Sequence, residues 1–116
     1  MSAHADMNVD EALATARAKL LHDLHATLPT TPAQIDVLEN VVAARRSWVE
    51  PWPAGAEFLT CLVAQDLQEE LQESDGRWPL CRLDGSHQLH VEPDLGADPH
   101  WVCEDCEKVV APVGRL

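Results

Sequence analysis

The sequence predicts an α+β protein in which three N-terminal helices precede a small antiparallel module. Three observations carry this. From Asn8 to Ser74 the larger apolar residues recur at steps of three and four, between capping and breaking signals. After Gly76 the pattern changes to short extended runs separated by turns. That last third also holds three of the four cysteines and three of the six histidines. The expected layout is a disordered tail over 1–7, a helical region over 8–76 and a compact module over 77–116 that packs with the helices as one unit.

Each element has its own signal. Asn8 and Glu11 stand three apart, as in a capping box, and open a first helix whose stripe is Val9, Ala12, Leu13, Ala16, Leu20, Leu21, Leu24 and Leu28. The segment LPTTPAQ breaks it and starts a second, with Thr31 as N-cap, Pro32 at the first helical position and Gln34 completing a capping box. Ile35, Leu38, Val41, Val42 and Val49 form its stripe, and the prolines of PWP at 51–53 end it. A third helix is expected from about Ala54 to Ser74, with Phe58, Leu59, Leu62, Val63, Leu67 and Leu71 on one side, stopping at the turn pair Asp75 and Gly76. Three such helices make a small bundle. Beyond it, strands are expected at His87–Val91, Pro99–Cys103 and Lys108–Pro112. So few large apolar side chains in this part call for a staple.

Charge and composition exclude several classes. Twenty acidic against eight basic residues give a net charge of -12, which opposes sequence-independent binding to phosphate backbones. No apolar run reaches the ~18 residues of a membrane span, and MSAHADMNVD lacks the basic and apolar regions of a secretory signal. A cytoplasmic protein with no membrane and no direct nucleic-acid partner is expected. Reduced thiols in that compartment favour metal binding or free thiols over disulfides. Between Pro51 and Gly76 there are six acidic residues (Glu57, Asp66, Glu69, Glu70, Glu73 and Asp75) and no basic one. This is read first as a solvated helix face, and second as a docking surface for a basic protein partner.

The staple is a metal site. Cys103 and Cys106 form CEDC, the spacing at which a tight turn aims both sulfurs at one tetrahedral ion. A thioredoxin-like redox centre also uses this spacing, but no βαβ pattern surrounds it here. Cys81 supplies a third sulfur. Asp84 and Gly85 fall where a CPxCG knuckle would place its second cysteine and glycine. His87 is favoured as fourth ligand, because a turn through Asp84, Gly85 and Ser86 brings it back toward Cys81. The reserves are Asp84, His90 and His100. Cys81, His87, Cys103 and Cys106 together make a Cys3His set with no vacancy, the structural type for one Zn2+.

On WPLCRLDG and WVCEDC the tail resembles the zinc-ribbon class, in which two knuckles on short hairpins clamp one zinc ion. It is also similar to the C-terminal regions of small bacterial proteins with a WP-C...WVC...VAP-G pattern. The likeness covers residues 78–116 and departs from the ribbon pattern at the first knuckle, where CRLDG replaces CPxCG. The resemblance implies a ribbon-like fold, a structural metal and an adaptor role. His90 and Glu92 before the CxxC echo the zinc-dependent nucleobase deaminases, but Val102 stands where that pattern has proline, and too little chain remains for the scaffold.

Other features read as structure. His22 and His25, with Asp23 between them, flank Leu24 as polar positions or as a surface metal pair. Cys61 reads as a core residue. Trp48, Trp52, Trp78 and Trp101 sit at element junctions, either burying the contact between helices and tail or marking a binding surface. With no GxSxG, phosphate loop or HExxH, no catalytic residue is assigned. The expected function is a non-catalytic zinc-binding adaptor with an acidic surface. The alternatives are an acidic nucleic-acid mimic that blocks a basic groove and a small zinc enzyme.

Overall fold

The computed structural model describes residues 8–74, 76–83 and 85–116. The expected tail over 1–7, together with Asp75 and Asp84, lies outside the described residues. Helix α1 spans Val9–Thr27, and its N-cap Asn8 accepts the backbone N–H of Glu11 at 3.2 Å. Helix α2, Pro32–Val49, begins with the full capping box: Thr31 Oγ1 accepts the N–H of Gln34, and Gln34 Oε1 accepts that of Thr31. A cap of this kind stabilises a helix by about 1 kcal/mol. Helix α3 spans Leu59–Ser74.

The third helix starts later than the expected Ala54. The stretch Pro53–Phe58 is a 3₁₀ segment and not the first turn of α3. Pro51 and Pro53 remove two donors, so the chain closes instead through short bonds from Trp52 N to Val49 O and from Gly55 N to Trp52 O, both 2.9 Å. Trp52 lies directly on Gly55, where a Cβ would stand 2.6 Å from the indole.

The helices pack through Leu13, Leu20 and Leu24 of α1, Leu38 and Val49 of α2, and Leu59, Val63, Leu67 and Leu71 of α3, all buried. Ion pairs cross the seams. The Arg17 guanidinium donates both bonds of a bidentate pair to Glu39, at 2.8 and 3.0 Å, and Arg46 reaches Asp10 at 2.6 Å. On the other side Arg45 pairs with Asp66 of α3 while its guanidinium stacks on Trp48.

The tail forms a three-stranded antiparallel sheet in the order β1 (His90–Glu92), β2 (His100–Cys103), β3 (Lys108–Pro112). Val91 faces Trp101 across the first pair, and a register shift falls between Trp101 and Val102 in the second. The third strand lies as expected. The first is later and shorter than expected, because His87–Leu89 is taken by another hairpin: Cys81 N–H donates to His87 O at 2.7 Å and Leu89 N–H to Pro79 O at 2.8 Å. The second starts at His100, since the Pro99 carbonyl accepts the N–H of Val113 instead.

The tail is not a sparse appendage. Trp78, Leu89, Val91, Trp101, Val113 and Leu116 are buried in the same continuous core as the helices. Trp78 and Trp101 meet edge to face, with centroids 5.6 Å apart. The tryptophans thus divide: these two bury the contact between helices and tail, whereas Trp48 and Trp52 meet edge to face outside it, with Trp52 exposed. Two glutamines of α3 anchor the loops. Gln68 Nε2 donates to the carbonyls of Trp78 and Leu89 at 3.0 and 2.8 Å, and Gln65 Nε2 to that of Asp94 at 2.6 Å. Cys61 is a core residue whose thiol faces the carbonyls of Pro93 and Asp94, each at 3.2 Å.

Candidate metal centre

Two tight turns build the site. The first follows the hairpin bond between Cys81 and His87, and closes where Gly85 N–H donates to Cys81 O at 2.7 Å. Gly85 has φ +73°, a left-handed conformation that a side chain disfavours. The second leaves β2 at Cys103 and turns through Cys106 to Glu107, itself at φ 55°, whose N–H donates to Glu104 O at 3.1 Å. Each turn aims a backbone N–H at a sulfur: Leu83 N–H at Cys81 Sγ and Cys106 N–H at Cys103 Sγ, both 3.4 Å. Such donors stabilise negative charge on sulfur, the form that binds a metal.

The turns bring Cys81, Cys103 and Cys106 together, with ligand atoms within 4.8 Å of one another. Cys81 and Cys103 are buried and Cys106 half-buried. Cys81 Sγ lies 3.8 Å from Cys106 Sγ. A tetrahedron of zinc–sulfur bonds of about 2.3 Å has an edge of about 3.8 Å, so this separation suits two ligands of one ion. A disulfide, with sulfurs about 2.05 Å apart, would need a much closer approach. The donor set therefore fits a thiophilic metal, with three soft ligands in a closed setting.

His87 stands beside this group. Its ring shares a second cluster with Cys103 and Asp105, ligand atoms within 4.8 Å of one another, and its Nε2 lies 3.7 Å from Asp105 Oδ2. Of the reserves, Asp84 lies outside the described residues. The other two are engaged elsewhere: His90 Nε2 lies 2.8 Å from Glu92 Oε2, and His100 Nδ1 lies 3.0 Å from the Asp98 carbonyl. His90 and Glu92 face each other along one side of β1, and neither belongs to the cysteine group. His22 and His25 are both exposed.

Two features escaped the sequence reading. Asp105 was not considered, although it sits inside the CEDC turn. The more consequential one is Asp23, fully buried between those exposed histidines. Its carboxylate accepts three hydrogen bonds, from Trp101 Nε1 (2.8 Å), Gly114 N–H (2.7 Å) and Leu116 N–H (2.9 Å). Its place within the apolar stripe, three residues after Leu20, was the available signal.

Fold and site thus define an α+β protein with three helices, a small C-terminal sheet and a three-cysteine cluster at metal-binding distance. The chain belongs to a family described as a domain of unknown function, DUF8819, which matches residues 9–113 and so takes in the helices and the three clustered cysteines. No curated protein and no solved structure matches the chain. No described helix is long and apolar enough to cross a membrane.

Proposed function

We propose that the chain is a non-catalytic adaptor in which Cys81, Cys103 and Cys106, with His87 as fourth ligand, hold one structural Zn2+. The observation that carries this is the 3.8 Å sulfur–sulfur edge, with a backbone N–H aimed at a sulfur in each turn. The ion ties the 79–89 hairpin to the β2–β3 turn, two segments joined at this end by no other covalent link. Cysteine, a soft ligand, favours zinc over the hard cations that acidic side chains would take. Asp105 stands beside the His87 ring, its Oδ2 3.7 Å from Nε2, where a carboxylate can orient a metal-bound histidine. The tail then acts as a zinc-ribbon-like clamp, and the bundle presents the acidic face of α3 to a basic protein partner.

Cobalt substitution tests the ligand set. The Co2+-loaded chain should show thiolate-to-metal charge transfer in the near ultraviolet and strong visible bands of a tetrahedral ion. Cys103→Ser should abolish the charge-transfer signal, and His87→Ala should alter the visible bands while leaving it in place. Weak bands of a six-coordinate ion in the parent chain would overturn the assignment.

A further inference from the structure

Arg17, Arg45 and Arg46 are tied to carboxylates of neighbouring helices. Arg77 and Arg82 are exposed and, among the described residues, have no carboxylate partner. They flank an open cavity of about 250 Å³ walled by Thr27, Leu28, Trp78 and Leu80. In a chain of net charge -12, the loop from Arg77 to Leu83 thus combines two guanidinium groups that have no carboxylate partner among the described residues with two exposed leucines, Leu80 at 40% and Leu83 at 62%.

The backbone of this loop is open on one side. Leu80 pairs with Gln88, and the flanking bonds run from Leu89 N–H to Pro79 O and from Cys81 N–H to His87 O. That pattern makes Leu80 and Gln88 a non-hydrogen-bonded pair, so the N–H and C=O of Leu80 point away from the hairpin. The edge is held in place from behind. Gln68 and Gln88 both donate to the Trp78 carbonyl, and the Trp78 indole donates to Thr27 Oγ1 at 2.8 Å.

We propose that this edge binds an extended peptide segment in which carboxylates flank an apolar side chain. Main-chain bonds to Leu80 would extend the hairpin by a strand, a known mode of peptide capture. The cavity takes one apolar side chain, being smaller than the ~300–1,000 Å³ typical of small-molecule sites. Arg77 and Arg82 then meet the carboxylates on either side. A polyanion is disfavoured because the rest of the chain repels it, whereas two or three local carboxylates gain more from the arginines than they lose at a distance. This surface is separate from the acidic face of α3 and takes a partner of opposite charge.

The test is nuclear magnetic resonance on the 15N-labelled full chain, with metal content measured on the same sample so that loss of the hairpin is distinguishable from loss of binding. The probes are an acetylated heptapeptide alternating aspartate and leucine, its lysine–leucine counterpart, and isovalerate. The aspartate peptide should shift the backbone amides of residues 77–83 other than Pro79 saturably, and the lysine peptide should not. Arg77→Gln combined with Arg82→Gln should weaken binding about tenfold, the sum of two exposed charge pairs. Both side chains are exposed, so the double variant should keep the dispersed indole signals of Trp78 and Trp101. No saturable shift at 77–83, equal affinity for the lysine peptide, or equally tight binding of isovalerate alone would overturn the proposal.

Discussion

The indole Nε1 of Trp101 donates a 2.8 Å hydrogen bond to Oδ2 of Asp23, across 78 positions of sequence and with both side chains fully buried. Gly114 and Leu116 donate to the same carboxylate, so one residue of α1 fixes both β2 and the end of the tail. Burial of a charge is costly unless its hydrogen bonds are made, and here three donors make them. Asp23 is thus a tether between the two parts of the fold.

Asp23→Ala should therefore be strongly destabilising. It leaves three buried donors without an acceptor, each worth about 1–3 kcal/mol, and a total loss of about 3 kcal/mol or more is expected. Urea unfolding followed by tryptophan fluorescence measures it. A loss below about 1 kcal/mol, the size of an ordinary surface change, would show that the donors find other partners.

Gly114→Ala should weaken the same tether from the other end. Gly114 has φ +99°, and a Cβ there would stand 2.7 Å from Lys19 Cγ. The strain should cost about 1–3 kcal/mol, read from the same urea transitions. An unchanged midpoint would mean that the tail does not rest on α1 as described.

The Arg17–Glu39 pair gives a pH-dependent signature. The hydrogen bond from Arg17 holds the Glu39 carboxyl below its ordinary value, outweighing the opposing effect of burial, and the Arg17 charge adds in the same direction. A depressed folded value means that the contribution is present above the unfolded value, about 4.3, and disappears as pH falls through the lower folded value. Both side chains are well exposed, so the contribution is only about 0.3 kcal/mol. Glu39→Gln should lower stability by about that amount at neutral pH, and the gap from the parent chain should close on acidification. A gap that widens toward acid would contradict this.

The acidic face of α3 makes a kinetic prediction. Glu69, Glu70 and Glu73 line an open groove beside Val41 and Ala44 of α2, while Asp66 is already paired with Arg45. A basic amphipathic peptide should bind there with an on-rate that falls steeply with salt, as the Debye length shrinks from about 10 Å at 0.1 M to about 3 Å at 1 M. Stopped-flow fluorescence with the parent chain and a Glu69→Gln, Glu70→Gln, Glu73→Gln triple variant measures it. A salt-independent rate would remove the acidic face from the account.

Local features were the legible ones. The caps at Asn8 and Thr31, the leucine stripes and the third strand all follow from spacing within a few residues, and the structure places them as expected. The gathering of Cys81 with Cys103 and Cys106 was legible because turn chemistry constrains where a sulfur can point. Non-local bonds were not. Asp23 looked like a polar position between two histidines, since its donors lie 78 to 93 residues away and no spacing encodes them. For the same reason the partners of the junction tryptophans were not legible: Trp78 and Trp101 enter the core through Thr27 and Asp23, which lie in α1.

The central claim is that the three cysteines hold a zinc ion, and native mass spectrometry of the chain purified without added metal tests it most directly. One zinc per chain is expected. Chelation should remove it and release rapid hydrogen exchange in residues 79–89 and 103–107, while the Asp23–Trp101 core stays protected. A metal-free chain, holding under about a tenth of an equivalent of any transition metal and keeping full exchange protection in both turns, would contradict it.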